Sequence, residues 1–259
     1  MCTDRWLRWT LLWTALWGGG VATVYAGAQA PRNVAERYLF QAANEERRAR
    51  GLPPLRWDET LYRAAWMHAR QMASRESISH QYAGEPELSE RAETAGVRFS
   101  EVAENVAEAP SAVLIHRGWM QSEHHRENLL DPRLDRVAIS VLSRDGQLYA
   151  VEDFDHGVAA LSFDAQENAV AGLLAASAPL HVGVATAVAR QTCEMDTGFA
   201  GPRRPWFVMR FTTAELDALP DELLRRLATG KYHEAQVGAC PTRETGHFSG
   251  YNIAVLLYP

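Results

Sequence analysis

The 259-residue chain contains only three cysteines, too few for a disulfide-scaffold miniprotein or a multi-cysteine metal centre. It lacks a basic excess: 26 Lys+Arg stand against 32 Asp+Glu, a formal charge of −6, which argues against a general nucleic-acid binder. No H-E-x-x-H signature of a zinc hydrolase occurs. After the first thirty residues no apolar stretch is long enough to span a membrane. What remains is an ordinary globular composition, 47% hydrophobic, with room for one large or two small domains of about 100–200 residues each.

The beginning of the chain reads as a targeting segment. Arg5 and Arg8 precede an uncharged apolar run from Thr10 to Tyr25, interrupted by Gly18, Gly19 and Gly20 and followed by small residues. This is the layout of a secretory signal peptide over residues 1–30, with cleavage after Ala26, Ala28 or Ala30. The chain is therefore expected to be secreted, in the periplasm or outside the cell, with no membrane span after cleavage. Cys2 leaves with the segment, and Cys193 and Cys240 are expected to pair in an oxidising compartment.

Helical patterns come first along the mature chain. Val34, Tyr38, Leu39 and Ala42 recur at helical spacing up to Ala49, with Gly51 at the C-cap. Asp58 is an N-cap for a second helix whose Leu61, Ala65, His68 and Met72 form one buried stripe. A third helix is predicted from Pro86 to Ala95, ended by Gly96, and a fourth from Pro110-Ser111, with Ile115, Trp119 and Ser122 on one side. Val137 to Leu142 and Leu148 to Phe154 read as strands joined by an Asp145-Gly146 hairpin. Residues 157–259 read as a smaller α+β unit. It has alternation over Leu180 to Ala189, strands at Trp206 to Thr213 and Tyr251 to Tyr258, and a Thr212–Glu215 capping box for a helix through Leu227, which Pro220-Asp221 breaks or restarts. One fused sheet across residue 156 is an alternative.

Three stretches gather potential ligands: Ser79-His80, Glu104-Asn105, and Ser122-Glu123-His124-His125. Two imidazoles and a carboxylate suit a divalent ion, and a Glu can also act as a base on bound water. Each histidine taken alone reads as a hydrogen-bonded structural residue. His68 falls on the buried stripe, Trp57 and Trp119 on apolar patterns, and the Arg47, Arg48, Arg50 cluster reads as a solvated face. His233 and His247 have no spacing partner and read as surface residues.

The same stretches carry a family resemblance. Asn44-Glu45-x-Arg47, Gly51-Leu52-x-x-Leu55-x-Trp57-Asp58, Ser79-His80, Glu104-Asn105-Val106-Ala107, Trp119-Met120-x-Ser122-x-x-His125-Arg126-x-Asn128 and Val151-x-x-Phe154 together resemble the CAP superfamily of cysteine-rich secretory, antigen 5 and pathogenesis-related proteins, in its bacterial secreted branch. The resemblance covers residues 33–156 and implies a three-layer α/β/α sandwich with a central cleft, over a domain spanning 31–156. It also implies that His80, Glu104 and His125 line the cleft, with Asn105 and Ser122 beside them. Ser122 stands where animal and plant members have a second glutamate, and Glu123-His124 replaces a Pro-Gly. Glu123 is one candidate substitute carboxylate and His124 one candidate extra ligand.

Two functions compete. In the first, the cleft of a secreted module binds a lipid, cell-wall or cell-surface ligand, or a divalent metal such as zinc, and breaks no bond. In the second, His80 and His125 hold zinc, Glu104 is the catalytic base, and the protein hydrolyses peptide or cell-wall material. A Ser122–His125 nucleophile pair is a third option without an orienting acid. With one acidic position filled by Ser122, the residues favour binding.

Overall fold

The computed structural model describes residues 31–242 and 247–259, so the signal segment expected over 1–30 lies outside the described residues. The chain folds into two four-stranded sheets, each covered on both faces by helices. No helix of the described residues is long and apolar enough to cross a membrane.

The first sheet has the order β1-β3-β4-β2, from β1 (Arg56–Trp57), β2 (Phe99–Ala109), β3 (Arg136–Arg144) and β4 (Gln147–Gly157). The β3–β4 turn is the expected hairpin, with Asp145 and Gly146 both at positive φ. One face of the sheet packs on α2 (Glu59–Arg75) and α3 (Leu88–Ala95) through Leu61, Ala65, Met72, Ala92 and Phe99. The other packs on α1 (Val34–Ala49), α4 (Ala112–Gln121) and α5 (Glu123–Leu130) through Leu39, Ile115, Trp119, Leu129 and Phe154. This is the expected three-layer sandwich.

Several helix signals act as read from the sequence. The Asp58 carboxylate accepts from the Thr60 and Leu61 amides, Ser111 caps α4, and Gly96 ends α3 in the left-handed region. Others are corrected. The fourth helix stops at Gln121, because Ser122 is extended and the chain restarts as α5. β2, which carries Glu104 and Asn105, was not signalled by its Ala- and Glu-rich sequence. On α1 the exposed residues include Val34 and Tyr38, while the inner face carries Glu36, Leu39, Ala43 and Arg47.

The second sheet, β5-β7-β8-β6, is separate from the first, so the two do not fuse. Its strands are β5 (His181–Val184), β6 (Phe207–Thr213), β7 (Glu234–Cys240) and β8 (Tyr251–Tyr258). Along β8, Ile253, Val255 and Leu257 face α6 (Phe163–Ser177) and α8 (Asp221–Leu227), whereas Ala254, Leu256 and Tyr258 face α7 (Ala187–Cys193). Cys193 and Cys240 are joined as expected, with Cα atoms 5.7 Å apart. α7 lies so close to β7 that a Cβ on Gly238 would overlap the Ala189 carbonyl carbon. The Thr212–Glu215 capping box does not form. Both threonines belong to β6, Thr212 Oγ1 donates to Asn252 Oδ1, and helix begins only at Asp221 behind Pro220.

Arg47 is the main departure from the sequence reading. It is 1% exposed rather than solvated, and its guanidinium donates to the carbonyl oxygens of Pro53, Leu129, Asp131 and Leu134. One cation thereby closes the C-terminal end of α5 and the turn after α1, supplementing at Asp131 the one backbone donor, the Leu134 amide, that reaches these acceptors among the described residues. Nearby, Asn44 exchanges two hydrogen bonds with the Leu55 backbone. Replacing Arg47 by Met leaves four carbonyls without this partner and should cost about 3 kcal/mol or more. Arg47→Lys should recover only part, because an ammonium cannot reproduce the fork. Urea unfolding checks this, and a midpoint unchanged in Arg47→Met would refute it.

Candidate functional site

The site is built around the edge strand β2. The antiparallel register sets Glu104 opposite Asp153 and Asn105 opposite Glu152. Successive strand residues face opposite layers, so Glu104 points toward α2 and α3 and Asn105 toward α4 and α5. Each anchors the histidine-bearing segment on its own side.

The Glu104 side chain is 4% exposed. Its Oε1 lies 2.9 Å from His80 Nδ1, and its Oε2 accepts from Arg91 Nη2, a guanidinium itself 5% exposed. Arg91 also donates to the carbonyls of His80 and Pro86, which fixes the loop between α2 and α3. Beneath them His68 is fully buried, bridging Glu85 Oε1 at 2.8 Å and the Ser79 carbonyl at 2.7 Å. It is the satisfied core histidine that its place on the α2 stripe predicted.

On the other side, Asn105 is completely buried and donates to the His125 carbonyl and to Glu152 Oε2. Its Oδ1 accepts from Asn128, which also donates to the Glu104 carbonyl. Asn105 therefore holds α5 on β2 and presents no surface to a ligand, and its bonds run to α5 and β4 rather than to its own loop. Trp119, also buried, donates to the Val106 carbonyl.

The structure joins His80 and Glu104 directly, whereas His125, half-buried on α5, is not among the residues lining the cavity at that pair and has no hydrogen bond to either among the described residues. No hydrogen bond links Ser122 to His125 among the described residues. His124 and Glu123 face solvent on α5, with His124 Nδ1 3.6 Å from Glu127, so neither supplies the missing ligand. Trp57 packs against Phe40 and Tyr62 rather than lining a ligand cavity. His247 pairs with Glu93 of α3, a partner no sequence spacing could disclose.

Residues 40–154 match the family model described as the cysteine-rich secretory protein family, CAP. This segment is a CAP domain. Among curated proteins, the chain is similar to YkwD of Bacillus subtilis (strain 168), described as uncharacterized, with 30% identity over 115 residues, 42% of this chain and 44% of that protein. It is also similar to YlbC of the same organism, described as an uncharacterized membrane protein, with 29% identity over 114 residues, 42% of this chain and 32% of that protein. The chain thus spans less than half the length of these relatives. Among solved structures, an extracellular SCP-domain protein from Bacillus anthracis aligns at 26% identity and TM-score 0.44, covering 47% of this chain and 40% of that one. An outer surface protein of Borrelia burgdorferi aligns at 21% identity and TM-score 0.45, covering 48% of this chain and 92% of that one.

The two histidines, His80 and His125, are shifted in opposite directions. The Glu104 hydrogen bond raises the His80 pKa against the effect of burial. His125 is pushed down by burial, and then by repulsion from His80 and His124. The two imidazoles are therefore pushed to opposite sides of the ordinary histidine value. Among the described residues no group of three or more His, Cys, Asp or Glu is placed to hold a metal ion. Both Glu104 oxygens are engaged, which leaves two imidazoles without a third donor, and the residues do not fit a three-donor zinc site.

Behind the cleft, β4 buries Glu152, Asp153 and Asp155 completely. Burial, and then the Glu104 charge, push Asp153 well above the usual carboxylate range. Burial raises Asp155 to about 7, reinforced by Asp58, and Glu152 to about 8, only partly offset by the Asn105 hydrogen bond. An acid raised on folding stabilises fully below the ordinary carboxylate range, and that stability is lost as pH rises through the folded value. Glu152→Gln should therefore gain on the wild type as pH climbs from about 5 to about 8, by at most about 1.4 kcal/mol per pH unit. Parallel stability–pH curves for the two proteins would refute a protonated Glu152. For the cleft itself, histidine titration by NMR should place His80 above 6.5 and His125 below it. Glu104→Gln should lower His80, and the His80–Glu104 contribution to stability should fade as pH rises through the His80 value.

Proposed function

We propose that the chain is a secreted two-part protein, a CAP domain over 31–156 and an extension over 157–259, whose cleft binds a lipid, cell-wall or cell-surface ligand without breaking a bond. One observation carries this reading: Glu104, the carboxylate that would serve as base, is saturated by His80 and Arg91. A general base must accept a proton from water within hydrogen-bond reach, and both Glu104 oxygens already face protein partners, His80 on one and the buried Arg91 guanidinium on the other. The same pairing withdraws Glu104 from metal ligation. Hydrolysis by His80, His125 and Glu104 thus finds neither its base nor its third donor in this arrangement. The Ser122–His125 alternative lacks the hydrogen bond from nucleophile to base.

What the arrangement offers a ligand is recognition. His80 is exposed, its ring oriented through Nδ1 by Glu104, so Nε2 is turned to whatever enters. A ring held on a buried carboxylate keeps its direction with little ordering cost when a ligand arrives.

Native mass spectrometry of the full chain purified from its source host tests the reading. A retained small molecule is expected, with occupancy at least about tenfold lower in His80→Ala, the size of losing one charge-assisted hydrogen bond. Chelator-sensitive turnover of peptide or cell-wall substrates that disappears in Glu104→Gln would overturn it in favour of the hydrolase.

A further inference from the structure

The second unit supplies a wall of the cleft. The segment just before β8 crosses to the CAP domain at three successive residues. His247 pairs with Glu93 on α3, Phe248 stacks edge-on against the buried Phe99 with centroids 5.5 Å apart, and the Ser249 amide donates to the Phe99 carbonyl at 2.6 Å. Phe248 is nevertheless 48% exposed, because its other face is turned to a cavity of about 510 Å³. The cavity also contains His80, Glu104, Gln81, Glu87 and Val102. The CAP segment thus lacks one side of its own cleft, and residues far outside it provide an aromatic surface there.

Resting on the binding reading above, we infer that Phe248 is a specificity-determining residue of the cleft, and that the ligand class it selects is a neutral saccharide ring. His80 is a donor. Gln81 has committed its amide nitrogen to the Glu85 carbonyl and so presents its oxygen, and Glu87, with one oxygen taken by Ser89, has the other to accept with. Donors and acceptors set around one exposed apolar face suit a molecule whose hydroxyls serve in both roles and whose ring offers a C–H face to the phenyl. An anionic ligand would meet the remaining Glu87 oxygen. A long apolar chain would leave the polar groups at the rim without partners.

A peptide is the other candidate for a cleft beside an edge strand, where it would add as an extra β-strand. The outer edge of β2 is closed to this. The Phe99 carbonyl accepts from Ser249, the Glu104 carbonyl from Asn128 and the Val106 carbonyl from Trp119. Acceptors that an incoming strand would need are already bonded, which is one way natural sheets protect their edges. A compact ring on Phe248 needs none of them.

Saturation-transfer NMR and calorimetry on the full chain, using chitotetraose, cellotetraose, mannotetraose and a set of apolar hexapeptides, test the inference. At least one tetrasaccharide should bind with strongest transfer to ring protons. Its affinity should fall about tenfold or more in Phe248→Ala and be kept in Phe248→Tyr, with thermal unfolding of Phe248→Ala close to that of the wild type. Saccharide binding that needs His80 but survives Phe248→Ala would overturn the role of Phe248 and leave the cleft reading standing. If no tetrasaccharide binds while a hexapeptide or a retained ligand of another class is lost in His80→Ala, the saccharide assignment is overturned and the binding site again stands. Absence of any ligand dependence on His80 would remove both.

Discussion

A carboxylate buried on an edge strand must be neutralised where it sits, and the CAP half of this chain is arranged to do so at Glu104. The charge has little water to lean on, so the guanidinium of Arg91 and the imidazole of His80 are drawn to it. Arg91 in turn holds the His80 and Pro86 carbonyls, so the loop that delivers His80 is shaped by the same contact. Asp153, opposite in register, is pushed well above the usual carboxylate range by burial and then by that charge. The next residue, Asn105, repeats the tactic with neutral groups on the other face, binding the His125 carbonyl and the Asn128 side chain. Two consecutive side chains of one strand therefore hold a histidine-bearing segment in each helical layer, and the two imidazoles flank the same edge.

What the sequence disclosed follows from which forces leave periodic traces. Helix caps at Asp58 and Ser111, the Asp145-Gly146 turn and the stripe from Leu61 to Met72 are local, and all are found as read. β2 was invisible because Glu101, Ala103, Glu104 and Ala107 are poor strand formers, and only pairing with β4 makes them a strand. The buried role of Arg47 is masked by its neighbours Arg48 and Arg50. Its spacing of four from Ala43 and eight from Leu39 on the buried side of α1 was the available signal, outweighed by the expectation that a charge lies in water. In the site, His80, Glu104 and His125 were named from motif likeness, yet Arg91, which saturates Glu104, carries no ligand signature. The contact of Phe248 with Phe99 joins distant parts of the chain and leaves no trace in local sequence.

The second unit solves its own buried-charge problem in a parallel way. Glu167 on α6 is fully buried and receives both Nε and Nη2 of Arg190 on α7 together with the Ala239 amide of β7. One carboxylate thus ties two helices on opposite faces to a central strand. The disulfide from α7 to the end of β7 reinforces the contact that Gly238 makes possible by lacking a side chain.

The join between the two halves is likewise set by charge. β4 ends at Gly157, where the Arg136 guanidinium occupies the space in which a Cβ would stand. Any side chain there would expel Arg136, whose Nη1 lies 3.1 Å from the Asp58 cap and 4.0 Å from buried Asp155. With Gly157 the guanidinium can cross the strand, and the chain runs straight on. The Val158 amide then donates to the Arg98 carbonyl, while its side chain already belongs to the second core. At the same place His156 reaches Glu215 of the second unit at 2.9 Å. The direction in which the chain leaves the first sheet is therefore fixed within two residues. That direction brings the segment ahead of β8 back over Phe99, on the side of the strand where Glu104 holds His80.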